Sequence, residues 1–281
     1  MRPWPRWSAA VRLAILAVAV LISVLPLLIM IDTALKPNGD IAGAQHWIPA
    51  HPTAHYLLST LGGGQMWGWL RSSAIIAAGV TVLSLLLAVP ASFALARRRF
   101  RGGRLFLSCV LVTQTMAPAV LIVPLFSLFR HLSLLNSYTG VILVSSAFVL
   151  PFSIWLLTAF FGQVSVEIEE AAALDRAVGP RFLLRFAVPM CLPGIVATAI
   201  WQFMYGWNEF MFSLTFLSGA QGKWPLTIGV FSSVGEYYVQ WQPLMVTALV
   251  GVLPMFVLFL ALLRWFEVGL SETFASSQAG A

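Results

Sequence analysis

Six apolar runs, each near the length that crosses a bilayer, constrain this chain more than any other feature. They cover about residues 13–31, 70–96, 105–128, 138–161, 191–217 and 244–263. A hydrocarbon core about 30 Å thick takes roughly 20 helical residues, and a helix satisfies its backbone polar groups within one segment. The expected fold class is therefore an all-α membrane protein of six transmembrane helices. Composition agrees: 59% of residues are hydrophobic, 9% are charged and mean hydropathy is +0.89, whereas a soluble domain is about one quarter charged. Arg2, Arg6 and Arg12 precede the first run, as in a signal peptide, but that run spans a bilayer and no small-x-small cleavage pattern follows it. It reads as the first span.

Charge orients the spans. The formal charge of +6 does not point to nucleic acid, because the arginines cluster between apolar runs rather than along one soluble face. Six spans place both termini on one side, with the loop holding Arg97, Arg98, Arg99, Arg101 and Arg104 and the segment holding Arg176, Arg181 and Arg185. Of the 16 basic residues, the opposite side receives only Lys36, Arg71, Arg130 and Lys223. Positive-inside then puts both termini in the cytoplasm. Cys109 and Cys191 fall near cytoplasmic span ends, so neither a disulfide framework nor a metal site is expected.

The longest polar passage between spans is residues 167–194, EIEEAAALDRAVGPRFLLRFAVPMCLPG. Glu167, Glu169 and Glu170 open a helix-forming run, where negative charge complements the helix dipole. Gly179-Pro180 punctuates it, glycine suiting a left-handed cap and proline the first position of a new helix. A second short helix should follow, with Phe182 and Phe186 on one face, Arg181 and Arg185 on the next, and Pro189 and Pro193 closing the segment. The expected element is a short helix-turn-helix lying against the membrane.

Glu170-Ala171-Ala172, followed by Asp175, Ala177, Phe182 and Pro189, resembles the "EAA loop" of ABC importer permeases in order and spacing. Further resemblances place the chain with carbohydrate-uptake permeases of the maltose type: Thr33-Ala34-Leu35-Lys36-Pro37 after the first span, Trp47-Ile48-Pro49 in the first outer loop, Phe93-Ala94-Leu95-Ala96-Arg97 ending the second span, and Pro225-Leu226-Thr227-Ile228-Gly229 in the last outer loop. The resemblance implies one permease domain over 1–281, with a core over 70–263 and a cytoplasmic coupling loop over 162–190, between helices 4 and 5. It implies that Glu170, Ala171, Ala172, Asp175, Arg176, Gly179 and Pro189 form the contact to an ATPase, whose closure on ATP moves the spans. It also implies a bacterial plasma-membrane location and a set of partners: a second homologous permease, two ATP-binding subunits holding ATP and Mg, and an extracytoplasmic solute-binding protein or lipoprotein. The family usually has glycine after the Asp, where this chain has Arg176; either the turn has moved to Gly179 or position 176 is still helical. The tail after Arg264 lacks the family's usual ending.

The most polar cluster within a span is Trp201 to Phe210, WQFMYGWNEF. A carboxylate at mid-bilayer costs roughly 2.5–3.5 kcal/mol on insertion scales and is usually functional. From Cys191 to Glu209 is about 27 Å of helix, close to the outer edge, so the cluster reads equally as an interfacial anchor. Trp207-Asn208-Glu209-Phe210 resembles the "W-N-E-F" of maltose-type permeases, in a helix that lines the translocation path. On that resemblance Tyr205, Trp207, Asn208 and Glu209 face a polyhydroxylated solute. Gln202 and Gln114 either join them or bond a neighbouring helix.

What is missing also informs. No Gly-rich phosphate loop is present, so the chain is not itself the ATPase. His46, His51, His55 and His131 fall in outer loops without metal-ligand helix spacing, and no nucleophile-base set is placed for catalysis. The expected function is a sugar-importing permease subunit that binds no cofactor of its own, with a glycerol-phosphate-type importer as the alternative. An ion-coupled transporter would need a membrane carboxylate relay, and Glu209 stands alone. A membrane scaffold would not explain the EAA spacing.

Overall fold

A computed structural model describes residues 6–37, 52–97, 103–235 and 238–278. Arg2, His46, Trp47, Ile48, Pro49, His51, Arg98, Arg99 and Arg101 lie outside them. Among the described residues the regular elements are helical, apart from an isolated bridge between Val234 and Val239. They fall into two compact units, one of residues 67–228 and one of the two ends of the chain.

In the unit of the chain ends, α1 (Arg6–Leu35) packs along α12 (Trp241–Gln278), and the short α2 (His55–Gly62) packs against both. The end of α1 is pinned: Lys36 pairs with Asp32, Gln242 Nε2 donates to the Lys36 carbonyl at 3.1 Å, and Thr53 N–H to that of Leu35 at 2.9 Å.

The other unit is built on α3 (Gly64–Arg97), α6 (Tyr138–Phe161) and α9 (Leu192–Trp207). Its core lies in two clusters, one around Ile76, Val80, Val141, Val144 and Phe216, the other around Ala88, Leu157, Phe161, Phe182 and Cys191. Both α3 and α6 run from the first cluster to the second, so they are parallel. The return by α9 is antiparallel to α6, matching Gly194 with Phe160, Gln202 with Ser153 and Trp201 with Phe152. Small residues set these approaches, as lipid-embedded helices require. A Cβ on Gly206 would lie 2.8 Å from Ala77 Cα, and one on Gly79 would lie 2.4 Å from Ile142.

Among the described residues, four helices are long and apolar enough to cross a membrane by themselves: α1, α3, α6 and α12. The other two expected spans are not straight. The run at 105–128 is α4 (Gly103–Val112), a 3-10 turn at Thr113–Thr115 and α5 (Pro118–His131), bent by 97°. Pro118 forces this, because the residue before proline is steered out of the helical region and Ala117 is extended at ψ 125°. The run at 191–217 is helical only to Trp207; three residues intervene before α10 (Met211–Phe216). At its other end Pro180–Met190 meets α9 at 84°, where the chain turns from the polar segment into the span.

Candidate functional site

The polar segment folds as two short helices around a turn. In α7 (Val166–Leu174), Glu167 and Glu169 occupy the first turn, beside unsatisfied backbone N–H groups. Hydrogen bonds from its own backbone N–H and from the Ser165 hydroxyl hold the Glu167 carboxyl below its ordinary pKa. The helix closes beyond Asp175 in a Schellman motif: Ala177 N–H donates to the Ala172 carbonyl at 2.9 Å, and Arg176 N–H to that of Ala173 at 3.0 Å. The left-handed residue this closure needs is Arg176, at φ 57°. Both sequence alternatives are therefore corrected: position 176 is not helical, and the turn has not moved to Gly179. The hydrogen-bonded closure holds the arginine there against its steric preference. Gly179 follows at φ 59°, ψ −125°, and Pro180 starts α8 (Pro180–Met190), whose middle, Leu183–Ala187, is a π-helical turn.

One side of this helix-turn-helix is anchored. Ala172, Ala177, Phe182, Leu183 and Ala187 are buried with Ala88, Leu157 and Phe161. Phe93 meets Phe161 edge-on at 5.7 Å between ring centres and Phe182 at 6.0 Å, and Phe182 stacks on Phe186 at 5.8 Å. Glu170, Ala171, Asp175, Arg176, Gly179 and Pro189 are exposed. Beside them stand two bare apolar side chains, Leu174, 86% exposed, and Val178, 61% exposed.

The second candidate region is a cleft of about 530 Å³ lined by Pro118, Trp201, Met204, Tyr205, Asn208 and Met211, among others. Both broken spans contribute to it, since Pro118 follows one break and Asn208 opens the other. Irregular backbone at membrane depth is tolerated where it is buried in protein or lines an aqueous cavity. Here side chains bond the backbone at each break: Thr113 Oγ1 donates to the Val110 carbonyl at 2.6 Å, Thr115 Oγ1 to that of Val112 at 2.8 Å, and Asn208 Nδ2 to that of Met204 at 2.8 Å. Glu209 is buried and caps α10, accepting from Phe212 N–H at 2.7 Å, Ser213 N–H at 2.9 Å and the Ser213 hydroxyl. Its carbonyl accepts from Thr227 Oγ1 at 2.7 Å, and Leu226 N–H donates to Ser73 Oγ at 2.9 Å. Glu209 thus ties the break to the following loop, which Ser73 in turn ties to α3.

The structure brings Tyr205, Asn208 and Glu209 together at the cleft, but not the two glutamines. Gln202 is fully buried with Nε2 donating to Ser153 Oγ at 2.9 Å, an α6–α9 crosslink. Gln114 is exposed in the 3-10 turn, and Trp207 is buried against Phe203. Sequence reasoning placed Trp201 in the polar cluster but not among the path residues, although it shares the face of Tyr205 and Asn208 by its spacing of four and seven and is 44% exposed. That periodicity was a usable signal. The capping roles of Thr113, Thr115 and Ser213 were not legible, because they exist only once the helix breaks are known.

A polytopic helical protein with a helix-turn-helix at one end of its core and two broken spans on one cleft is built as a membrane permease. Residues 88–272 match the family model for the binding-protein-dependent transport system inner membrane component, and the chain belongs to that family. It is an ABC transporter permease of the carbohydrate-uptake type. The diacetylchitobiose uptake system permease protein DasC of Streptomyces coelicolor is 30% identical over 96% of this chain and 95% of its own length. The trehalose transport system permease protein SugB of Mycobacterium tuberculosis is 29% identical over 89% and 91%. The fold matches a crystal structure of a bacterial ABC transporter involved in alginate import, with a TM-score of 0.79 at 19% identity over 94% of this chain and 100% of that one.

Proposed function

We infer that this chain is one transmembrane subunit of a bacterial plasma-membrane importer that carries a di- or oligosaccharide delivered by an extracytoplasmic binding protein. The two broken runs, α4 with α5 and α9 with α10, count as one span each, giving six, with both termini and the α7–α8 segment cytoplasmic, an orientation supported by the distribution of basic residues. The whole chain forms one permease domain, its core over 70–263 and its coupling loop over 162–190. It pairs with a second, homologous permease and two ATP-binding subunits. ATP and magnesium reside on those subunits, and hydrolysis occurs there.

The observation that carries the reading is the two-sidedness of α7 and the turn after it. Ala172 and Ala177 are buried against the helical core, while Glu170, Leu174 and Val178 project from it. A helix rooted on one side and bare on the other suits a groove in a moving partner, because it transmits displacement that a flexible loop would absorb. At the cleft, Trp201 and Tyr205 offer aromatic faces to the apolar faces of a sugar, and Asn208 offers a polar edge. Support for a sugar comes from the relatives, whose names specify diacetylchitobiose and trehalose.

Glu170→Lys tests the coupling role. The variant is expected to reach the membrane at wild-type level yet to lose uptake and solute stimulation of ATP hydrolysis; wild-type uptake by it would refute the role.

A further inference from the structure

We propose that Arg97 is a positioning residue that locks the coupling helix to α3, so that α3 carries the displacement of α7 to the cleft. This rests on the coupling reading of α7 given above. Arg97 is the last residue of α3, and its side chain is only 12% exposed. Its Nη2 donates to the Val164 carbonyl at 2.8 Å, and its Nε lies 3.2 Å from Glu169 Oε2. One guanidinium therefore hydrogen-bonds the connector that leaves α6 and, through an ion pair in which Nε is not aligned for a hydrogen bond, holds the first turn of α7. An arginine needed only to orient the chain has no reason to leave water, since withdrawing a guanidinium is costly unless partners compensate. The planar, multi-donor head of arginine suits two partners at once in a way that a lysine ammonium does not.

Packing reinforces the charge. Phe93 and Ala96, on the turn of α3 before Arg97, lie against the cluster that contains Ala172 and Phe182, so α3 grips the coupling segment from below as well as at its rim. At the other end of the lever, Ala77 touches α9 at Gly206, where no Cβ fits. From Ala77 to Arg97 is about 30 Å of helix at 1.5 Å per residue. Gly206 stands between Tyr205 and Asn208, both of which line the cleft, at the end of α9. Helix α6 is joined to α7 by the chain itself; Arg97, together with the packing of Phe93 and Ala96, enlists α3.

The test uses the complete complex purified with its partners. Cys109 and Cys191 are replaced by alanine, and Met211→Cys, at the cleft, is labelled with a membrane-impermeant maleimide with and without ATP plus vanadate. In this parent, nucleotide is expected to change the labelling rate; no change would mean that the coupling reading itself fails. With Arg97→Ala added, ATP hydrolysis persists but the nucleotide response of the label falls about tenfold, within the 5- to 150-fold range of allosteric coupling energies. Glu169→Gln, which leaves the Val164 bond in place, reduces the response less. A parent-like response in Arg97→Ala overturns the proposal. If that variant fails to assemble, Glu169→Gln decides alone: its side chain is 38% exposed, and an unchanged response there is equally fatal.

Discussion

Arg176 shows how a single residue departs from what its position prefers. A left-handed conformation costs a side chain with a Cβ roughly 1–2 kcal/mol, and the Schellman bonds from Ala177 and Arg176 hold it there. Gly179, three residues on, has open space around its missing Cβ, so its requirement is purely conformational. The two positions should therefore respond in opposite directions. Arg176→Gly relieves strain, offset in part by the greater freedom of glycine in the unfolded chain, and should raise the apparent Tm of the detergent-solubilised complex by about 1–3 °C. Gly179→Ala should lower it by several degrees, because its φ and ψ fall where strain costs about 1–3 kcal/mol. Thermal scans giving the reverse order would show that this turn is not closed as described. Glu209 carries a related lesson. It lines the cleft, yet both oxygens of its carboxylate accept hydrogen bonds from within the chain.

At the scale of elements, the close approach of α3 and α9 at Gly206 organises the helical core. A Cβ there would meet the Ala77 backbone, which cannot move aside as a side-chain tip can. Gly206→Val should force the helices apart at a cost of about 1–3 kcal/mol, seen as a reduced yield of folded complex by size-exclusion chromatography. A wild-type yield would mean that the helices do not pack this closely. The four long apolar helices were legible in the sequence, because length and apolarity in lipid leave little choice but helix. The helix-turn-helix was legible from Gly179-Pro180 and from the Phe182–Phe186 spacing. The breaks at 113–117 and 208–210 were not. Hydropathy averages over a window longer than either break, and threonine, asparagine and glutamate within apolar runs read as isolated polar residues rather than as caps. Proline gave only a partial signal, since Pro118 breaks its span while Pro90 and Pro151 remain inside continuous helices.

For the whole molecule, the sequence and the structure leave surfaces that this chain does not cover. Nearly all of α1 from Val11 to Leu28 is exposed and apolar, and so are Leu174 and Val178 on the polar segment. On the reading proposed above, lipid and a second permease cover the first and an ATPase groove the second. The central claim is that this chain works only within such an assembly. It is tested most directly by purifying the tagged chain from native membranes in mild detergent, identifying what accompanies it, and assaying reconstituted uptake with and without ATP. The account predicts an ATP-binding subunit, a second permease and a solute-binding lipoprotein in the purified material, with uptake that requires ATP. Recovery of the chain alone, competent for uptake without ATP, would contradict it.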